Sequence, residues 1–336
     1  MTLLLLLLAA AALLTLTGIA YQAIGSACDA RRFPPPGRMI DVGDHRLHIH
    51  TLGQGSPVVV LEAGIAATSV SWRLVQDRIA AFTAVCSYDR AGLGYSESAH
   101  RPPTIANILS DLDTLLARAG VQGPIVLVGH SFGGLAALEY ACRTPSRVAG
   151  LVLVDPLAAS EWCPLRPESK AMLDRGTRLA RRGAWVARLG IVRLSLDLLR
   201  AGSRRIPKLA ARVSSGSGSQ LTERLVGEVR KLPPELWPVI QSHWCQPKSF
   251  LAMAGHLEAL PANAAACKPD CDLDDLAITV LSGANSAADR VNEHQAMAGR
   301  STRGKLIVAQ NSGHWIQLDE PELVAAAVRE ILESLR

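Results

Sequence analysis

Residues 124–134 read Pro-Ile-Val-Leu-Val-Gly-His-Ser-Phe-Gly-Gly. The five apolar residues at the start predict a strand that is buried on both faces, and residues 134–142 predict a helix. A direct turn from strand into helix requires glycine at positions 129 and 133, because side chains there would collide with neighbouring backbone. The turn would expose the hydroxyl of Ser131 at a helix N-terminus, where backbone N–H groups can stabilise a developing oxyanion. The stretch therefore predicts a nucleophile at Ser131.

Strand-like and helix-like segments alternate on both sides of this turn. Besides 124–128, the predicted strands are 39–41, 45–51, 57–61, 83–88, 148–154, 278–281 and 305–308, and the predicted helices are 105–119, 134–142 and 321–335. The first two strands flank Gly43-Asp44 and predict an antiparallel hairpin. The alternation that follows predicts a doubly wound, largely parallel α/β sheet, in which ligands bind beyond the carboxyl ends of the strands.

A serine hydroxyl needs a general base before it can attack, and His314 is the candidate. It follows the last predicted strand, in Asn311-Ser312-Gly313-His314-Trp315, and so belongs to the same edge of the sheet as Ser131. His130 is adjacent to the nucleophile but is expected to point away from it. We interpret His130 as a packing or hydrogen-bonding residue.

These motifs resemble the α/β-hydrolase superfamily, specifically its bacterial esterase-like members with an N-terminal anchor. The matching stretches are Leu61–Gly64, Ser87–Gly94, Gly129–Gly134, Leu151–Asp155 and Ser312–Trp315, and the likeness covers about residues 39–156 and 275–335. The superfamily has the chain order nucleophile, acid, histidine, which Ser131 and His314 fit. The resemblance implies the α/β-hydrolase fold, with an eight-stranded, mostly parallel sheet and a helical lid inserted after the sixth strand.

The acid of the triad departs from the commonest superfamily pattern. An aspartate is expected soon after strand 278–281, yet none occurs there before Asp289. Some members instead use the position directly after the sixth strand, where this chain has Asp155. Either carboxylate could orient His314 and stabilise its imidazolium. The sequence favours Asp155, leaves Asp289 as the alternative, and leaves open that neither acts.

The resemblance also implies an oxyanion hole made of two backbone N–H groups. One belongs to Phe132, which follows the nucleophile, and the other to Ile65, which follows Gly64. The motif Asp89-Arg90, with Gly92 and Gly94, is interpreted as a structural ion pair and turn in preference to a substrate clamp. No metal or organic cofactor is expected, and the spacing of Cys267 and Cys271 does not predict a zinc site.

The N-terminus is apolar over roughly twenty residues, which is enough to cross a bilayer. It has no basic segment before the apolar run, so an uncleaved anchor is favoured over a cleaved signal peptide or a lipoprotein signal. We place this segment at 1–24 and a Pro-rich linker at 25–38. The predicted hydrolase core then comprises 39–156 and 275–336, and the lid insert comprises 157–274.

The side of the membrane on which the body lies is less clear from the sequence. Basic residues after the anchor favour a location of the body in the cytoplasm. Clustered cysteines in the insert, namely Cys163, Cys245, Cys267 and Cys271, would suit disulfides in an exported protein, and export is the preferred interpretation. Cys86 and Cys142 are predicted to be packed thiols.

The charge of the chain is concentrated in the predicted lid. Residues 166–212 carry a net +10, so the remainder of a chain with net charge +5 carries −5. This distribution, without a nucleic-acid-binding motif, excludes a nucleic-acid partner. Arginines mixed with apolar residues in 175–212 suit either a solvated helical face or a helix on an anionic membrane. The run at 214–219 predicts a flexible break, and the insert's tryptophans (162, 185, 237 and 244) suit an acyl pocket or the lid's own core.

The expected function is hydrolysis of a carboxylic ester with an apolar part, through an acyl-enzyme. A lactonase, amidase or peptidase would use the same residues. A receptor that binds a ligand without catalysis is the rival from another class, and intact Ser131 and His314 argue against it. A haloalkane dehalogenase or epoxide hydrolase would require a carboxylate at position 131.

Overall fold

Eight strands form one sheet in the computed structural model, which describes residues 1–200, 230–268 and 271–336. The strands are β1 (Arg38–Asp41), β2 (Arg46–Leu52), β3 (Val58–Glu62), β4 (Val85–Tyr88), β5 (Ile125–His130), β6 (Val148–Val154), β7 (Ala277–Gly283) and β8 (Gly304–Ala309). Their order across the sheet is β1-β2-β4-β3-β5-β6-β7-β8. Strand β2 pairs antiparallel with β1 and β4, and all other neighbours pair in parallel.

Helices separate most of the strands along the chain. In the described ranges they are α1 (Thr2–Arg32), α2 (Arg73–Ile79), α3 (Ile105–Ala119), α4 (Phe132–Arg143), α5 (Pro167–Arg188), α6 (Ile191–Arg200), α7 (Trp237–Trp244), α8 (Pro247–Ala266), α9 (Ala288–Ala298), α10 (Ile316–Asp319) and α11 (Pro321–Ser334). Between β6 and β7 lies the long insert that the sequence predicts after the sixth strand.

The described residues fall into two units. The sheet unit comprises Pro35–Leu173 and Gly255–Arg336, and the helical unit comprises Met1–Pro34 and Asp174–Ala254. The predicted anchor thus belongs to the same unit as much of the insert. The predicted flexible break at 214–219 and the end of the basic stretch lie outside the described residues.

The sheet buries an apolar layer on each face, as β5 shows most simply. Ile125 and Leu127 belong to the layer covered by α3 and α4, whereas Val126 and Val128 belong to the layer covered by α2 and α11. All four side chains are fully buried. A strand alternates its side chains between two faces, so a strand covered on both faces is a continuous apolar run. The predicted α/β-hydrolase fold, including the opening hairpin, is confirmed.

Helix α1 extends further than the predicted anchor. Residues 25–32, assigned from the sequence to the linker, continue the helix to Arg32. The prolines at 34, 35 and 36 end it, because a residue before proline is disfavoured in the helical conformation. This helix is long and apolar enough to cross a membrane, with a mean hydropathy of 2.5 over an unburied stretch of eighteen residues.

A disulfide joins Cys142 at the end of α4 to Cys271, which precedes β7. The prediction that Cys142 is a packed thiol is therefore wrong. The two residues are 129 positions apart in the sequence, so only the tertiary fold brings them together. Cys86 is a buried free thiol, as predicted, and Cys163, Cys245 and Cys267 are free thiols as well.

Candidate active site

The turn between β5 and α4 holds Ser131 in a conformation with φ 54° and ψ −119°. A Cβ at Gly133 would overlap the carbonyl oxygens of Glu62 and Ala63, and one at Gly129 would overlap the carbonyl oxygen of Gly133. The turn is therefore packed against the end of β3 so closely that only glycine fits. The Ser131 N–H donates to the carbonyl of Val154 at 3.0 Å, which fixes the turn to β6.

Asp155 follows β6 directly, and its buried carboxylate collects three donors. The N–H of Gly283 and the hydroxyl of Ser286 each donate to Oδ1 at 3.1 Å. The imidazole of His314 donates from Nδ1 to Oδ2 at 2.6 Å. With its proton on Nδ1, a neutral His314 has Nε2 available as a hydrogen-bond acceptor, the form that a general base requires.

The surroundings of Asp155 favour its charged form. Burial alone would raise the pKa of this carboxyl, but the hydrogen bond and charge of His314 and the N–H of Gly283 outweigh it, so the pKa lies below its ordinary value. The guanidinium of Arg290 lies 3.8 Å from Asp155 Oδ2 and donates to Glu161. Asp155 can therefore stabilise a positive charge that forms on His314.

Asp289, the alternative acid, lies in the first turn of α9 and is exposed. Among the hydrogen bonds of the described residues, the carboxylate that reaches His314 belongs to Asp155. The geometry thus brings Asp155, rather than Asp289, to the histidine.

His130, directly before Ser131, is buried and binds the loop of His314. Its Nε2 donates to the backbone carbonyl of His314 at 2.8 Å, and the two rings are 4.7 Å apart. Burial, with a smaller contribution from the charge of His314, lowers the pKa of His130 to about 3. The ring is therefore neutral at physiological pH and positions backbone, as the sequence interpretation expected.

Ser131 and His314 lie at the same edge of the sheet because both follow carboxyl ends of parallel strands. No hydrogen bond joins the Ser131 hydroxyl to His314 among those that the described side chains form. Such catalytic hydrogen bonds are often long without substrate and tighten in the complex.

One oxyanion candidate, Phe132, directly follows Ser131, and the other, Ile65, lies in a loop that approaches Ser131. Phe132 is the first residue of α4, so its N–H has no acceptor within the helix. Ile65 lies in a turn closed by a 3.2 Å hydrogen bond from the N–H of Ala67 to the carbonyl of Gly64. A Cβ at Gly64 would be 3.4 Å from that of Ser131, so this loop approaches Ser131 closely.

Arg90 binds the backbone of the loop that contains Ile65. Its buried guanidinium donates to the carbonyl of Ala63 at 2.6 Å and also to the carbonyl of Gly64 and the carboxylate of Glu62. Asp89 has other partners, the His48 ring at 2.9 Å and the N–H of Ser69 at 2.6 Å. The motif Asp89-Arg90 is structural, as predicted, but its two charges pair with different residues. No pattern in the sequence indicates that Arg90 binds the loop of Ile65.

The described residues contain no group of three or more His, Cys, Asp or Glu side chains that could hold a metal ion.

A sequence profile of the Alpha/beta hydrolase family matches residues 58–327, which is most of the chain. The chain belongs to this family. An AB hydrolase superfamily protein of Gibberella zeae is 26% identical over 304 residues, covering 83% of this chain and 87% of that protein. Lipase LipV of Mycobacterium tuberculosis is 36% identical over 128 residues, but these cover only 38% of this chain and 48% of the lipase.

Solved structures share the fold of this alpha/beta hydrolase. A thermophilic esterase from Thermogutta terrifontis superimposes with a TM-score of 0.60 at 24% identity, over 86% of this chain and 94% of the esterase. An enol-lactonase and an epoxide hydrolase are also among the structural neighbours. At such identities the likeness shows the fold and leaves the substrate open.

Substitution of Arg90 tests its hold on the Ile65 loop. Arg90→Lys keeps the charge but replaces the planar guanidinium, which reaches all three acceptors, with a single ammonium that cannot reproduce this geometry. We expect hydrolytic kcat/KM to fall by up to about 100-fold, because a displacement of about 1 Å in a reacting group can cost that much. The matched control is Arg73→Lys at an exposed arginine paired with Asp77. Equal activity of the two variants would contradict a positioning role.

Substitution of His130 tests the consequence of its low pKa. An unfolded histidine titrates near pH 6.5, so between about pH 6.5 and 3 the unfolded chain binds a proton that folded His130 does not. Stability should fall as pH is lowered through this window, by up to ~1.4 kcal/mol per pH unit. His130→Gln should show a shallower fall in urea unfolding between pH 7 and 4. His100→Gln, at an exposed histidine, is the control, and parallel curves for H130Q and the wild type would be inconsistent with a buried neutral ring.

Proposed function

We propose that this chain is a serine hydrolase that cleaves carboxylic esters through an acyl-enzyme. The observation that carries the proposal is the 2.6 Å hydrogen bond from His314 Nδ1 to the buried carboxylate of Asp155, at the sheet edge that also holds Ser131. A fixed, ionised acid that orients a histidine at the same sheet edge as a half-buried serine is the arrangement used for nucleophilic acyl transfer.

Each residue has a defined role in the proposed reaction. Ser131 Oγ attacks the carbonyl carbon of the ester while His314 Nε2 accepts its proton. The N–H groups of Ile65 and Phe132 stabilise the negative charge on the carbonyl oxygen. His314 then protonates the leaving alcohol, which gives the acyl-enzyme. Water, activated by His314, attacks the acyl carbon and releases the acid and Ser131.

The apolar character of the substrate is supported by the side chains near the nucleophile. Partly buried Ile65, Leu157 and Trp162 pack against the apolar layer that includes Phe132. Leu157 is tied to the nucleophile turn by a 3.0 Å hydrogen bond from its N–H to the carbonyl of Ser131. An esterase and a lipase among the similar proteins favour an ester over an amide or peptide bond. The lid role of the insert stays a prediction.

A lactonase is the alternative with a specific observation in its favour, because an enol-lactonase shares the fold. A lactone is a cyclic ester, so the same three residues would act on it. An epoxide hydrolase also shares the fold, but a serine at position 131 lacks the carboxylate that we expect such an enzyme to need.

We also propose that α1 attaches the chain to a membrane, with the body on the extracytoplasmic side. The exposed apolar surface of α1 supports attachment. The disulfide between Cys142 and Cys271 supports the side, because disulfides persist in oxidising compartments. A basic stretch in the insert would add attraction to anionic lipid.

A fluorophosphonate probe separates the enzyme from a receptor without catalysis. Only an activated serine reacts with the probe at a useful rate, so the wild type should be labelled on Ser131, identified by peptide mass. Ser131→Ala should abolish labelling and lower kcat on p-nitrophenyl esters by at least about 10³-fold. A folded wild type that is not labelled would contradict the proposal. A panel of p-nitrophenyl esters of increasing acyl length then measures the preference for apolar substrates.

Paired substitutions test which aspartate serves His314. Asp155→Asn removes the charge and can hold the wrong tautomer of the imidazole, so kcat should fall by about 10³–10⁴-fold. Asp289→Asn is the matched control on the exposed first turn of α9 and should stay within about 2-fold of the wild type. Circular dichroism checks that both variants fold. Equal losses in the two variants would refute the assignment of Asp155.

A further inference from the structure

Helix α1 makes specific contacts within the helical unit, starting at Gly18. A Cβ at this glycine would overlap the carbonyl oxygen of Leu189, in the bend between α5 and α6. The facing residue in the bend, Gly190, has φ 72°, and a Cβ there would be 2.6 Å from the carbonyl oxygen of Gly18. The α5–α6 bend therefore rests directly on the backbone of α1, and glycine on both sides permits the approach.

The next turns of α1 bury polar side chains against the insert. The amide of Gln22 is buried and donates to the carbonyl of Cys245 at 2.9 Å. Arg193 of α6 is also buried, donates to Gln22 Oε1 at 3.2 Å, and forms a 2.7 Å ion pair with Asp29. Its guanidinium lies so close to Gly25 that a Cβ there would be 2.6 Å from Nε.

Further hydrogen bonds extend this contact to α7. The hydroxyl of Tyr21 donates to Asp197 Oδ2 at 2.5 Å, and the amide of Gln241 donates to Asp197 Oδ1 at 2.8 Å. The second half of α1 is thus joined to α6 and α7 by a network of hydrogen bonds. If α1 were cleaved off, Arg193 would lose its partners Gln22 and Asp29 together with the helix that packs on its guanidinium. The network argues that α1 is a permanent element of the helical unit.

The length of the free part of α1 fixes where the bend lies in a membrane. Residues 2–17, before the contact at Gly18, are all exposed. Sixteen helical residues span about 24 Å at 1.5 Å per residue, whereas the hydrocarbon core is about 30 Å thick. A complete crossing therefore needs about four more residues, and these belong to the turn on which the α5–α6 bend rests.

Exposed apolar side chains surround the same bend. Trp185 is 65% exposed, Leu194 is 43% exposed and Ile191 is 38% exposed. The guanidinium of Arg188 lies 5.0 Å from the centroid of the Trp185 ring. Tryptophan and arginine with an apolar body and a polar end are typical of the boundary between membrane and water.

We propose that α1 is retained in the mature protein and seats the α5–α6 bend in the headgroup region of a lipid bilayer, with Trp185, Ile191 and Leu194 against lipid. This inference depends on membrane attachment through α1 and does not depend on the hydrolase chemistry. Its failure is distinguishable from failure of the proposed reaction, because labelling of Ser131 reports on the sheet unit.

Retention of α1 is tested on the full chain expressed in bacteria and extracted from membranes. Intact-mass spectrometry should show a protein that begins at or directly after Met1. A mature N-terminus anywhere between residues 18 and 32 would overturn the proposal, because cleavage there removes residues 2–17, the exposed part of α1 that would enter the bilayer.

Seating of the bend is tested in vesicles of phosphatidylcholine and phosphatidylglycerol, with and without brominated acyl chains that quench nearby tryptophan. The wild type should lose fluorescence in brominated vesicles, and Trp185→Phe should lose clearly less. Trp72→Phe, which removes a fully buried tryptophan of the sheet unit, should lose as much as the wild type. Equal quenching of W185F and the wild type would overturn the proposal.

A larger side chain at Gly18 tests the contact between α1 and the α5–α6 bend. Gly18→Leu keeps the apolar run for insertion but pushes against the carbonyl of Leu189, so Trp185 quenching should fall by at least half while the protein stays in the membrane fraction. Ala11→Leu is the matched control on the exposed part of the same helix and should leave quenching unchanged. If G18L and A11L are quenched alike, α1 does not set the position of the bend.

Discussion

The buried carboxylate of Asp155 is the interaction on which the rest of the site depends. It accepts hydrogen bonds from Gly283 at the end of β7, from Ser286 beyond it and from His314 after β8. An ionised carboxylate inside a protein is stable only when its oxygens are satisfied in this way. The charge that would assist catalysis therefore also ties together the carboxyl ends of three neighbouring strands, and the site and the sheet edge share one set of hydrogen bonds.

The loops around Ser131 are supported from the interior by two side chains that bind backbone carbonyls. Arg90 binds the carbonyls of Ala63 and Gly64, which directly precede the oxyanion candidate Ile65. His130 binds the carbonyl of His314. Both side chains are buried, and each acts on a different loop. Functional groups on loops become precise when a rigid second set of contacts fixes them. The nucleophile turn is thus flanked by two loops whose positions are set from the core.

The sequence predicted the sheet and the nucleophile turn because local patterns determine them. Strands covered on both faces are apolar runs, and the turn at Ser131 needs glycines that are visible in the sequence. The choice between Asp155 and Asp289 could not be made locally, since it depends on which carboxylate the neighbouring strands bring to His314. The same holds for three other features, namely the partners of Arg90, the disulfide of Cys142 and the contact of α1 with the insert. Each joins segments that are far apart in the sequence, so no local pattern predicts it.

The disulfide from α4 to the residues before β7 has a consequence for how this chain could diversify. It connects the helix that begins directly after Ser131 to the point where the chain returns from the insert. The disulfide closes a covalent ring that contains the insert. The entropic cost of bringing Cys142 and Cys271 together is therefore already met in the unfolded chain. Substitutions or changes of length inside the ring leave that closure in place. The excursion between β6 and β7 can therefore change in sequence or length without reopening this covalent ring.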